Sequence, residues 1–164
     1  MTSAHEGLTI ADYLSRKPER LLLEGLRQWN GGYETGCMSC WETASDSLTA
    51  ELGFAAAAEP LFLIAQMVRH LRQQGGRQPQ FYPANCRRMC RDECCLMAMV
   101  AAAQDKERFC FDMAAGALSQ DEPGDTLYDL AVSLADAMTR SGLHLLAVPP
   151  TVLALIAGQK LNVS

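Results

Sequence analysis

The chain has 164 residues, the size of one domain, and its 49% hydrophobic and 20% charged content excludes wholesale disorder. A formal charge of −5 and a pI near 5.1 leave no general attraction for phosphate backbones, so nucleic acid is not an expected partner. The opening residues carry no basic region followed by an apolar run, and the longest apolar stretch, Leu143 to Gly158, is too short for a bilayer and is interrupted by Pro149 and Pro150. The expectation is a cytoplasmic protein with no membrane partner, whose seven cysteines are mostly reduced thiols.

In chain order the elements read as helices. Ala, Leu, Met, Gln, Glu and Arg are frequent, and no useful segment alternates with period two. Pro18 suits a first helical turn, and Leu22, Leu26 and Trp29 form a stripe that Gly31-Gly32 is expected to end. After GCMSCW, a helix with Leu48 and Leu52 runs to about Gly53. Pro60 then starts a helix or bends a longer one. Its apolar face is Leu61, Ile64, Met67, Val68 and Leu71, and Gly75-Gly76 is its expected stop.

RQPQFYPAN reads as a linker, with Asn85 as the expected N-cap of a cysteine-bearing helix that runs to about Gln104. Its second half, MAMVAAA, is apolar nearly all round, the pattern of a helix in the middle of a bundle. A further helix, Asp105 to Leu118, either follows or continues it. Asp125 is the expected cap of the next, striped by Leu127, Leu130, Leu134 and Met138, and Pro149-Pro150 opens a short last helix. Nothing repeats at a fixed period. The expected fold class is all-α: a single-domain bundle of six or seven helices over residues 1–164, with loose ends at 1–15 and 159–164.

CRRMCRDECC, Cys86 to Cys95, concentrates four cysteines. At about 100° per residue, Cys90, Cys94 and Met97 fall about 40°, 80° and 20° from Cys86 on one face, while Cys95 falls about 180° away. On the plainest reading Cys86, Cys90 and Cys94 pack as small core hydrophobes. A metal reading is the alternative. Cys86 and Cys94 lie about 12 Å apart along a helix, too far to share one ion, but Cys86 with Cys90, or Cys90 with Cys94, are close enough. Cys37 and Cys40, spaced C-x2-C, would complete a four-sulfur site for Zn or an Fe–S cluster. The same Cys37 and Cys40 also admit a thiol-redox reading, although no βαβ pattern surrounds them.

Other chemistry is sparse. His5, His70 and His144 stand in no catalytic pattern, and neither G-x-S-x-G nor H-E-x-x-H occurs. Glu93 sits near the cysteine stripe as a candidate ligand or proton carrier, but an acid in a first helical turn needs no such role. Arg69, Arg72, Arg77, Arg87, Arg88 and Arg91 form the densest basic region, six of the fourteen Lys and Arg, and would suit a protein partner with an acidic surface. Leu153, Ile156 and Leu161 would suit a dimer interface. The leading expectation is a non-catalytic accessory or regulatory protein without a cofactor, acting through protein–protein contacts. The alternative is a cysteine-ligated metal or thiol-redox protein.

Overall fold

The computed structural model describes residues 10–73, 78–119 and 124–162. Among them are eight helices and no strand: α1 (Ile10–Ser15), α2 (Lys17–Thr35), α3 (Met38–Leu52), α4 (Phe54–Gln73), α5 (Arg91–Gln104), α6 (Arg108–Ser119), α7 (Asp125–Arg140) and α8 (Pro150–Asn162). The protein is a single-domain, all-α bundle. The helix added to the expected count is the short α1, which with the end of α8 occupies stretches expected to be loose. His5, Gly75, Gly76 and Arg77 lie outside the described residues.

α5 lies in the middle, packed against α2, α6, α7 and α8. Every residue from Cys95 to Ala103 is buried, as the all-round apolar run requires. Buried alanines of α6 (Ala114, Ala115) and α7 (Ala131, Ala135) join the alanines of α5 in the core and keep its side chains small. α2, α3 and α4 pack on one another, and α7 joins α4 to α5. The stripes behave as their spacing predicts: Leu22, Leu26, Ile64, Met67, Val68, Leu127, Leu134 and Met138 are all buried.

The cap of α7 is Gly124 and not Asp125, a shift of one residue, and two boundaries differ more widely from the sequence reading. α2 does not stop at Gly31-Gly32 but runs on to Thr35, where Gly36 takes the left-handed conformation (φ 69°) and its N–H bonds the Gly32 carbonyl at 2.8 Å. Gly32 serves contact instead. A Cβ there would lie 2.1 Å from Trp41 Nε1, so only glycine lets the indole of α3 lie on α2. Trp41 stacks on Trp29 (5.4 Å between ring centres, 24° between planes) and donates to the Trp29 carbonyl at 3.1 Å.

The second difference is α5, which starts at Arg91 and not at Asn85. Residues 78–90 are an irregular strap with no fully buried side chain. The N-cap is Cys90, whose N–H donates to Glu93 Oε1 at 3.0 Å, while the Glu93 N–H faces the Cys90 sulfur. Cys90-Arg91-Asp92-Glu93 is thus a capping box with sulfur in place of a hydroxyl. The angular count from Cys86 fails because its first five residues, Cys86 to Cys90, are not helical.

Candidate functional site

The least ordinary chemistry lies along α2. Arg27 (side chain 3% exposed) and Glu93 (0%) form a buried ion pair, with Nε to Oε2 at 2.6 Å and Nη2 to Oε1 at 3.0 Å. Arg27 also donates to the carbonyls of Cys86 (2.7 Å) and Arg88 (2.6 Å), and Glu93 also accepts from the Tyr82 N–H at 3.1 Å. Asp92 accepts from the Gln80 N–H at 2.8 Å. Backbone groups of the strap are therefore held from both ends by one arginine and two acids. Each lone pair and N–H of the ion pair that these bonds engage is compensated, which a desolvated charge requires. This is a structural clamp. Glu93 is spent on it, as a first-turn acid and as a salt-bridge partner.

The strap leaves two open grooves against α2. One, of about 660 Å³, is lined by Asn30, Gly31, Glu34 and Cys40 on one side and by Gln80 and Tyr82 on the other. The second, of about 520 Å³, is lined by Leu14, Arg20, Leu23, Cys86 and Arg87.

The cysteines do not gather. Among the described residues no group of three or more His, Cys, Asp or Glu side chains is placed to hold a metal ion. The expected four-sulfur site from Cys37 and Cys40 with Cys86, Cys90 or Cys94 is therefore not formed, and metal binding drops out. The expected cysteine-rich cluster is not formed either: among the described residues the sulfurs make no such group. All seven cysteines are free thiols. Cys86 lies on the strap and accepts from the Arg88 N–H at 3.4 Å. Cys90 donates to the Gln80 carbonyl at 3.2 Å. Burial, with the acids Glu93 and Asp92 adding to it, pushes the Cys90 thiol up to about 11. Burial, with Cys95, Cys90 and Glu93 nearby, pushes Cys94 up to about 12. The fully buried member is Cys95, the one expected to face elsewhere, while Cys86, Cys90 and Cys94 are only partly covered. Cys110, on α6, is also partly covered, and burial raises its thiol.

Cys37 differs from all of these. It is exposed, it is the N-cap residue of α3, and its sulfur lies 2.7 Å from the Ser39 hydroxyl. That hydrogen bond, followed by the Ser39 N–H, holds the Cys37 thiol below its ordinary value.

The arginines divide. Arg91 is half-buried, donating to the Ala117 carbonyl at 2.8 Å and reaching Asp92 at 3.4 Å. Arg72 bonds Asn30 at 2.9 Å and Glu34 at 3.4 Å and lies over the Tyr33 ring. Arg69, Arg87 and Arg88 are exposed, and no ionic partner faces their side chains among the described residues. Arg72 borders the Asn30 end of α2 and Arg87 the Arg20–Leu23 end, about 10–15 Å apart along the helix.

Of the remaining candidates, His144 is exposed and only its carbonyl is engaged, by Arg16 at 3.1 Å. His70 is partly covered near the end of α4. Leu153 is buried and Ile156 packs on the core, so both face inward; the side chain of Leu161 lies outside the described residues. No described helix is long and apolar enough to cross a membrane. Sequence reasoning missed Arg27 and Glu19, two charges inside apolar stripes. The one local signal was Glu93 three residues after Cys90. Comparison with known protein families, with curated proteins and with solved structures gave no match for this chain.

Proposed function

We propose that the protein is a non-catalytic accessory or regulatory factor that works by contact, with the outer face of α4 as its docking surface. The observation that carries this reading is the pair Phe54 (84% exposed) and Phe62 (61%). They are eight residues apart with exposed Ala58 between them, so three side chains share one face of a helix packed elsewhere against α2, α3 and α7. Two solvent-facing phenylalanines on one stripe are the aromatic anchors that interfaces favour. Farther along this stripe stands Arg69, with no acidic neighbour among the described residues. The neighbouring acid Glu59 is taken by Arg140. The fitting partner is a protein segment that offers apolar side chains and a carboxylate. Exposed Arg87 and Arg88 add positive charge that steers such a partner.

A photo-crosslinking phenylalanine analogue in place of Phe62 tests the reading. It should yield one dominant adduct, and the purified partner should bind the full chain directly. Phe54→Ala with Phe62→Ala should weaken that binding at least tenfold while helicity is unchanged, a loss of about 1.4 kcal/mol or more. Arg69→Glu should slow association, most at low salt. Unchanged affinity in the double variant would remove the α4 face from the account. A self-adduct with a dimer in solution would make a second copy the occupant.

A further inference from the structure

We propose that Cys37 and Cys40 are a redox-active dithiol that exchanges with disulfides of the glutathione type, with Cys37 attacking and Cys40 resolving. This activity is independent of the docking face on α4. It rests on how the first turn of α3 is built. The Cys40 N–H bonds the Cys37 carbonyl at 3.3 Å, closing a four-residue turn. Such a turn holds its end Cα atoms within about 7 Å, and a disulfide spans about 4.4–6.8 Å between Cα atoms. Cys37 and Cys40 are the two ends of that turn.

The two thiols are unequal in the way the reaction needs. Cys37 is exposed beside exposed Met38, so a disulfide from solution can reach it. Cys40 is partly covered against α2, where its sulfur would lie 3.6 Å from a Cβ on Gly31. The Ser39 hydroxyl donates to the Cys37 sulfur once it is a thiolate, and the free N–H groups of the helix start favour the same charge. Trp41, the next residue, is fixed by its stack on Trp29 and its bond to the Trp29 carbonyl, so the turn is held in place from below. Cys90 on the strap is a poorer competitor, because burial holds it protonated.

The exchange balances. The Cys37 thiolate attacks one sulfur of glutathione disulfide. The S–S bond breaks, and one glutathione leaves as a thiolate that takes a proton from water. Cys40 loses its proton to solvent and its sulfur attacks Cys37. The mixed disulfide breaks, and the second glutathione leaves and is protonated. Two cysteine thiols are oxidised by two electrons and one glutathione disulfide is reduced to two thiols.

The test is a series of glutathione redox buffers applied to the full chain, with peptide mapping of every cysteine and circular dichroism to verify the fold. A Cys37–Cys40 disulfide should form in one transition while the other five cysteines stay thiols. Cys40→Ser should stop at the Cys37–glutathione mixed disulfide, and Cys37→Ser should form neither product. Ser39→Ala should slow alkylation of Cys37 several-fold. The proposal is overturned if folded protein keeps both thiols in predominantly oxidised buffer. It is equally overturned if wild type stops at the mixed disulfide, which would make Cys37 an exposed thiol and nothing more.

Discussion

Two irregular segments cross the bundle, and they are held by different combinations of burial and hydrogen bonding. The strap, residues 78–90, buries no side chain fully and is fixed by the Arg27–Glu93 pair through its own backbone groups. The segment 143–149 buries Leu143 and Leu145 in the core. Half of its side-chain bonds to backbone come from a neutral amide: Gln104 accepts from the Leu145 N–H at 2.7 Å and donates to the Leu143 carbonyl at 2.7 Å. The other half come from an ion pair: buried Glu19 accepts from the Leu146 N–H at 2.6 Å and its partner Arg16, 38% exposed, donates to the His144 carbonyl at 3.1 Å. A segment that carries apolar anchors needs only its backbone groups satisfied. The strap, whose apolar side chains Phe81 and Met89 are only half-buried, relies more on strong, charge-assisted bonds in a dry site.

The largest effect should come from breaking the clamp. Arg27→Ala or Glu93→Ala leaves one buried charge unpaired and should cost about 3–5 kcal/mol in urea unfolding. In Arg27→Ala, hydrogen exchange at the Tyr82 and Cys90 amides should rise well before exchange at Leu145 and Leu146. Removing both partners should cost clearly less than the sum of the single losses. If the two losses simply add, the pair is not a unit and the contrast fails.

Leu145→Ala should come next, at about 2–3 kcal/mol, because the side chain sits at the edge of the core and the site can partly collapse. Its exchange pattern should be the converse, loosening 143–149 and sparing the strap. Gln104→Ala strands a backbone donor and acceptor and should cost about 1–2 kcal/mol. A cost equal to that of Arg27→Ala would show that neutral and charged clamps are equivalent here.

Thiol labelling sharpens the same contrast at lower energy. At pH 8 a thiol pushed up to about 11 is almost wholly protonated, so native Cys90 should alkylate far more slowly than Cys37. Opening the strap with Arg27→Ala should bring Cys90 toward the rate of an unfolded peptide. The smallest effect should be that of Arg87→Glu with Arg88→Glu, within about 0.5 kcal/mol. The strap is gripped at the carbonyls of residues 86 and 88, not at these side chains.

The α2–α3 contact shows where local reading stops. Gly32 has the composition of a helix stop, yet it is a landing site for Trp41, nine residues later. Cys90 is not a usual cap, so Asn85 outranked it by propensity alone. With the helix counted from Cys86, every angle measured from that residue is displaced, and Cys95, set about 180° from the cysteine face, is the fully buried member. The C-x2-C pair was legible as a pair. Its exposure, its hydrogen bond to Ser39 and its distance from the strap cysteines were not.

The sequence by itself determined the helical class, the apolar faces of α2, α4 and α7, and the central position of α5. These follow from periodicity and all-round apolarity, which are properties of neighbouring residues on one helix. Tertiary structure alone decided where α5 begins, which charges are buried and which cysteines meet. Arg27 finds Glu93 across 66 residues and Glu19 finds Leu146 across 127. Such bonds follow no periodic pattern. They form because packing removes water from a charge and leaves it only the partners that the fold brings within reach.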